Sequence, residues 1–200
     1  MAFGIDVTDD CGPEVAGFLA AGLRLDVSTV LTASAVHDPP RPNRVAGYRR
    51  LDSEDDWSQS VELNVAGNSS AGAADDRDFC ERRAAAARRL SETGRGSWFG
   101  AFDGGRLVAQ FGLFLAGSGL ARFQNVETHP LARRQRLAGS LVYHACRYGI
   151  GELGAGTLVI VADADSAAAR LYQSVGFVRA EAQIGLERPP PVPTPTPQDP

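Results

Sequence analysis

Residues 120–143, LARFQNVETHPLARRQRLAGSLVY, gather the groups best suited to hold an anion. An apolar stretch runs into His129-Pro130, an Arg-rich turn follows, and a helical pattern begins near residue 136. The first turn of a helix exposes backbone N–H groups without internal partners, and its dipole favours negative charge. A turn feeding such a terminus is therefore a ready phosphate cradle. Arg133, Arg134 and Arg136 place guanidinium groups on that turn, and Ala138 and Gly139 are small where a ligand approaches the backbone. A charged, solvated turn with no ligand accounts for the same residues. His129 stands just before Pro130, which favours a structural or phosphate-contacting role over that of a base.

Other chemistries find less to work with. All 20 basic residues are Arg, so no Walker lysine exists, and no GxGxxG follows an early strand. Cys11, Cys80 and Cys146 are isolated and lack CxxC spacing, which points to reduced thiols rather than disulfides or metal ligands. No His, Cys and carboxylate cluster has zinc spacing, so no metal is expected. The formal charge of -4 argues against a general nucleic-acid binder. No apolar run reaches the length of a membrane span and no signal peptide is evident, so a cytoplasmic location is expected. A hydrophobic fraction of 44% is ample for a packed core.

The elements that must position the turn follow from periodicity and punctuation. Residues 44–51 suit a strand, and Ser53 caps a helix running to about residue 66 with acids in its first turn. Residues 68–76 are small and polar and suit a loop; residues 76–92 are helical, ended by Gly94. Apolar runs at 97–102 and 106–115 flank Asp103-Gly104-Gly105, a hairpin turn, and 120–128 continues the meander. A helix over 136–149, a buried strand over 157–162, a helix over 166–174 ended by Gly176, and a strand over 177–187 complete the pattern. The order implies an α+β fold with a mixed sheet and helices on its faces. Residues 3–33 parallel 158–187 as strand, Ala-rich helix, Gly-hydrophobic pair and strand. Two accounts stay open: the common shape of any such unit, or the back half of a degenerate first repeat. Three segments are thus expected: 1–36, a main domain over 44–188, and a Pro-rich extended tail over 189–200, with a linker at 37–43.

Two patches carry a resemblance to a known family. Arg133-Arg134-Gln135-Arg136-Leu137-Ala138 is similar to the Q/R-x-x-G-x-G/A acetyl-CoA signature of GNAT superfamily acyltransferases. The preceding Val126-Glu127-Thr128-His129-Pro130 resembles the end of that family's fourth strand, and Leu141-Val142 continues the helix. Residues 165–177, DSAAARLYQSVGF, are similar to the family's N-x-x-A-x-x-L-Y-x-x-x-G-F, with Asp165 in place of Asn. One departure matters: Arg136 stands where the family usually has its first Gly, so a side chain occupies the approach to the diphosphate or itself binds it.

The resemblance implies a mostly antiparallel GNAT-like sheet flanked by helices, with splayed central strands that receive the thioester. It implies acetyl-CoA or a short acyl-CoA as cosubstrate and a primary amine, on a small molecule or a protein, as acceptor by direct attack. The backbone of Val126 and Thr128 would pair with the pantetheine arm, with Val126 N–H a carbonyl polariser. Arg133, Arg134, Gln135, Arg136, Leu137, Ala138, Gly139 and Ser140 would hold the diphosphate. Glu127 is the candidate base, against the alternative of a strand-end carboxylate paired with Arg. Tyr172 is the candidate acid toward the departing thiolate, against the alternative of a ring packed on the sheet. Trp57, Trp98 and Phe99 suit core packing more than an acceptor pocket, and Asp55, Asp56 and Glu62 suit a solvated face more than an amine site. The rival function is a non-catalytic acyl-CoA-binding or regulatory module, motivated by Arg136 and the repeat echo. The residues are compatible with a monomer or a homodimer.

Overall fold

The computed structural model describes residues 2–5, 15–67, 73–117 and 119–188, with side chains from residue 15 onward and not for 73–76. Cys11 and the Pro-rich tail lie outside the described residues. The elements are β1 (Ala2–Ile5), α1 (Ala16–Ala20), β2 (Arg24–Ala33), β3 (Gly47–Arg50), α2 (Glu54–Gly67), α3 (Ala73–Glu92), β4 (Gly96–Asp103), β5 (Arg106–Gly117), β6 (Leu120–Thr128), α4 (Leu137–Gly151), β7 (Thr157–Asp163), α5 (Ala167–Gln173) and β8 (Val178–Glu187). They form a single mixed sheet in the order β1-β8-β2-β7-β6-β5-β4-β3, mostly antiparallel, with helices against both faces.

Local chemistry explains most boundaries. Ser53 and Asp56 form a reciprocal cap on α2: Asp56 N–H donates to Ser53 Oγ at 3.1 Å, and Ser53 N–H donates to the Asp56 carboxylate at 3.1 Å. At the β4–β5 hairpin, Gly104 and Gly105 both take positive φ, +55° and +82°, where an L side chain is strained. Residues 73–76 differ from expectation: they open α3 rather than forming a loop. The Ala and Asp residues there extend a helix whose far turns already repeat at helical spacing.

Two cores sit on opposite faces of the sheet. Phe111, Phe123, Leu158, Ile160 and Phe177 pack with Leu141 and Val142 of α4. On the other face Trp98, Phe102 and Phe114 pack with Trp57 and Leu63 of α2. Trp57, Trp98 and Phe99 are thus core residues, each at most 7% exposed. The acids of α2 are also accounted for. The Arg49 guanidinium grips buried Asp56 at 2.6 and 2.7 Å, Arg77 grips Glu62 at 2.8 and 3.0 Å, and Gln59 donates to Asp55 at 2.8 Å.

The strand order contains a placement that chain order conceals. β7 and β8 flank the α5 crossover, yet they are not neighbours: β2 lies between them, antiparallel to both. Leu31 of β2 is fully buried there. The N-terminal segment therefore supplies an interior strand to the sheet that carries the Arg-rich turn.

Candidate functional site

The site begins where two strands part. β6 and β7 run parallel and pair only over Leu120–Arg122 with Thr157–Val159. Beyond that they diverge, leaving a cavity of about 580 Å³ lined by Gln124, Asn125 and Val126 of β6, Ile160 and Ala162 of β7, and Tyr172 of α5. β6 is bulged at the mouth of the gap. Gln110 of β5 faces Glu127 and Gly112 faces Gln124, so two steps on β5 meet three on β6, and Asn125 takes φ +49°. A bulge leaves one residue outside the ladder and re-aims its backbone groups. Nothing in the sequence beyond an Asn tolerant of positive φ marks this bulge.

Successive side chains of β6 take opposite faces of the sheet. Val126 packs with the α4-side core. Glu127, one residue on, points to the α2 side, where Gln110 Nε2 donates to its Oε2 at 3.4 Å. Burial pushes the Glu127 carboxyl pKa up; the Gln110 hydrogen bond and the Arg83 and Arg133 charges pull it partly back. Thr128 closes β6 against Ala109, and its carbonyl accepts from Arg133 Nε at 3.4 Å, so it stands outside the cavity lining.

Tyr172 is 4% exposed, and burial raises its phenol to about 12. Among the described residues none hydrogen-bonds its hydroxyl, although the ring lines the cavity. α5 is held in place by Ser166, whose Oγ accepts from Ala169 N–H at 3.1 Å. Asp165 precedes that cap at φ +58°, a conformation Asp shares with Asn, and pairs with Arg179 at 2.8 Å.

The Arg-rich turn follows the C-terminal end of β6, beyond the bulge. A 3-10 turn over Pro130–Ala132 follows His129, whose Nδ1 accepts from Leu131 N–H at 3.2 Å. His129 is therefore a local cap. Arg134 and Arg136 then both adopt left-handed backbone, φ +63° and +64°, which curls the turn into the kind of concavity that presents N–H groups to an anion. No side chain caps the start of α4 at Arg136. Arg133, Arg134 and Arg136 are exposed, and none makes an ion pair among the described residues. Leu137 and Gly139 are buried beneath the turn, with Gly139 against Leu171 and Pro39, and Ala138 is half-buried.

Asn43 braces this cradle from behind, a role the linker reading of 37–43 did not contain. Its backbone N–H donates to Ser140 Oγ at 2.9 Å, and its Nδ2 donates to the Gln135 carbonyl at 2.9 Å. Its Oδ1 accepts from Val45 and Ala46 N–H at 3.0 Å each, an Asx turn that Pro-Asn before a strand can signal. The Ser140 hydroxyl oxygen thus accepts from Asn43, and Gln135 Nε2 donates to the Leu131 carbonyl at 3.4 Å. Among the described residues no group of His, Cys, Asp and Glu could hold a metal, and no helix is long and apolar enough to cross a membrane. Cys80 and Cys146 are fully buried.

Comparison with known proteins identifies the family and the fold. The model of the acetyltransferase (GNAT) family matches residues 43–177, and the chain belongs to that family. No curated protein matches it in sequence. Among solved structures, the GCN5-related N-acetyltransferase from Kribbella flavida aligns with TM-score 0.61 and 18% identity, covering 90% of this chain and 65% of that one. The GCN5-related N-acetyltransferase from Sphaerobacter thermophilus gives TM-score 0.64 and 15% identity, with coverage of 92% and 58%. A tandem GNAT protein from the clavulanic acid biosynthesis pathway gives 0.61 and 14%, with coverage of 93% and 61%. At these identities the likeness is one of fold, and the chain spans less than two thirds of each of these three proteins.

Proposed function

From membership of the acetyltransferase (GNAT) family, we propose that this chain is an N-acyltransferase moving an acetyl or short acyl group from acyl-CoA to a primary amine by direct attack. The observation that carries the proposal is the gap between β6 and β7, with an uncapped, Arg-bordered helix start at one end and, on its wall, the largely buried Tyr172, whose hydroxyl has no protein hydrogen-bond partner among the described residues. The α4 amides, with Arg133, Arg134 and Arg136, hold the diphosphate, and the pantetheine arm follows the bulged edge of β6 at Val126.

The chemistry then divides across the sheet. Glu127 faces the α2 side and accepts a proton from the incoming amine, directly or through water. The amine nitrogen forms a bond to the thioester carbon while Val126 N–H holds the developing oxyanion. The C–S bond breaks, and Tyr172 donates its proton to the departing thiolate from the α5 side, recovering it from solvent. A phenol raised to about 12 stays protonated throughout the neutral range, as a donor requires.

Calorimetry with acetyl-CoA, followed by thiol release across an amine panel, tests the reading. Binding in the micromolar range and turnover by at least one amine are expected. In Tyr172→Phe, binding persists and turnover falls about 10²-fold. No binding by either wild type or Arg136→Gly overturns the cofactor site. Binding with no turnover, and no rate effect of Tyr172→Phe, would instead favour the non-catalytic module that Arg136 motivates.

A further inference from the structure

We infer that Gln110 and Gly67 are positioning residues for the Glu127 carboxylate: the Gln110 amide holds one of its oxygens, and the bare Gly67 backbone makes room for the other. The inference deepens the reading of Glu127 as the base and rests on it for its catalytic consequence. Its structural content stands separately.

Gln110 is 1% exposed and bonded on every side. Its Oε1 accepts from Ser60 Oγ at 2.6 Å and from Trp98 Nε1 at 3.2 Å. An indole N–H can only donate, so the atom facing it must be the amide oxygen. The amide cannot be flipped without setting N–H against N–H. Nε2 is thereby turned toward two acceptors, the Ser60 carbonyl at 3.3 Å and Glu127 Oε2 at 3.4 Å. Asn64 Nδ2 donates to the same Ser60 carbonyl at 2.9 Å and steadies that acceptor. A neutral donor fixed in this way favours the ionised carboxylate without neutralising it.

The second oxygen is placed by an absence of side chain. Gly67 closes α2, and a Cβ built on it would lie 2.1 Å from Glu127 Oε1. Its φ is not in the left-handed region, so Ala is compatible with the backbone and improves helix propensity. Gly here costs local stability, and the carboxylate occupies the space gained. Among the described residues, the other charges facing Glu127 are Arg83 from α3 and Arg133 from the cradle turn. Both favour ionisation, but neither is tied to it by a hydrogen bond among the described residues.

The experiment is a carbon-13 side-chain titration of Glu127 in the full chain, assigned with Glu127→Gln, alongside acetyl-CoA turnover against pH. In Gln110→Met the Glu127 midpoint rises by about half a unit to one unit, because a donor to the charged form is lost. In Gln110→Glu it rises further, because a second carboxylate faces the first across the same gap. Gly67→Ala keeps or raises the melting temperature, shifts the Glu127 resonance, and lowers kcat by about tenfold with little change in KM for acetyl-CoA. If Gln110→Met unfolds, Gly67→Ala and Gln110→Glu still decide the matter. An unmoved midpoint in folded Gln110 variants, or an unmoved resonance in Gly67→Ala, overturns the inference. If the midpoints move while the acid limb of turnover stays fixed, positioning stands and the assignment of Glu127 as base fails.

Discussion

At the scale of single residues, the site combines two groups whose pKa is raised by burial, Glu127 and Tyr172, with left-handed backbone at Asn125, Arg134 and Arg136. Arg136 holds φ +64° at the start of α4, a conformation that costs an L side chain about 1 kcal/mol or more. Arg136→Gly is therefore expected to stabilise the fold by about 1 kcal/mol, which thermal unfolding would show as a rise of about 2–4 °C. Titration with acetyl-CoA on the same protein then separates the two roles of that position: weaker binding identifies the guanidinium as a phosphate ligand, tighter binding identifies its Cβ as an obstacle. Glu127 illustrates the other cost. Its folded pKa lies above the ordinary 4.5, so its contribution to stability is fully present below that value and is lost as pH rises through the folded pKa. Glu127→Gln should thus raise the melting temperature relative to wild type more at pH 7 than at pH 4; an equal difference at both would contradict the burial argument.

At the scale of elements, α2 is secured to β3 and to its own first turn by one carboxylate. Asp56 is 3% exposed at its side chain and accepts from both terminal nitrogens of Arg49 and from the N–H groups of Asp52 and Ser53. The Arg49 hydrogen bonds hold its carboxyl far below the ordinary 3.8. The stabilisation is complete above that ordinary value and fades as acid protonates the group. Asp56→Ala is expected to cost about 2–3 kcal/mol near neutrality, from a lost cap and lost charge-assisted bonds. In denaturant titrations the gap to wild type should narrow as pH falls below about 4. Because α2 carries Ser60, Asn64 and Gly67 to the neighbourhood of Glu127, loosening its first turn also loosens the support of the carboxylate. The cap of α2 and the support of the Glu127 carboxylate are thus coupled through one helix.

At the scale of the molecule, the sheet is completed by a strand from outside the segment that carries the motifs. β2 fills the space between β7 and β8 and buries Leu31, Val30 and Ala33 in it. Removing residues 1–36 would leave two facing sheet edges and an open core, the kind of unpaired edge that folded proteins avoid. The truncated chain is expected to lack a cooperative thermal transition and near-ultraviolet dichroism. A cooperative melt close to that of the full chain would mean that β7 and β8 can close on each other and that β2 is dispensable. The same strand bears on the repeat echo between 3–33 and 158–187. We propose that residues 1–36 are the back half of a first repeat whose last strand has been taken into the sheet of the second, and this truncation tests the structural part of that idea.

Local information was sufficient for much of this. Hydrophobic period, turn residues and caps identify nearly every helix and strand from residue 44 onward, because these signals act between residues a few positions apart. The Arg-rich turn over 133–139 and the uncapped helix start are legible for the same reason, since a helix start and its flanking guanidinium groups are contiguous in sequence. The Ser53 cap, the Gly104-Gly105 hairpin and the Ser166-initiated helix are all of this kind. What tertiary structure alone decided lies in pairings across long separations. These are β2 between β7 and β8, the bulge that takes Asn125 and Val126 out of the β5–β6 ladder, Asn43 behind the cradle, and Gln110 locked by Ser60 from 50 positions away. Strand order and amide orientation are set by which partners meet after the chain has closed its loops, and no local pattern records that meeting.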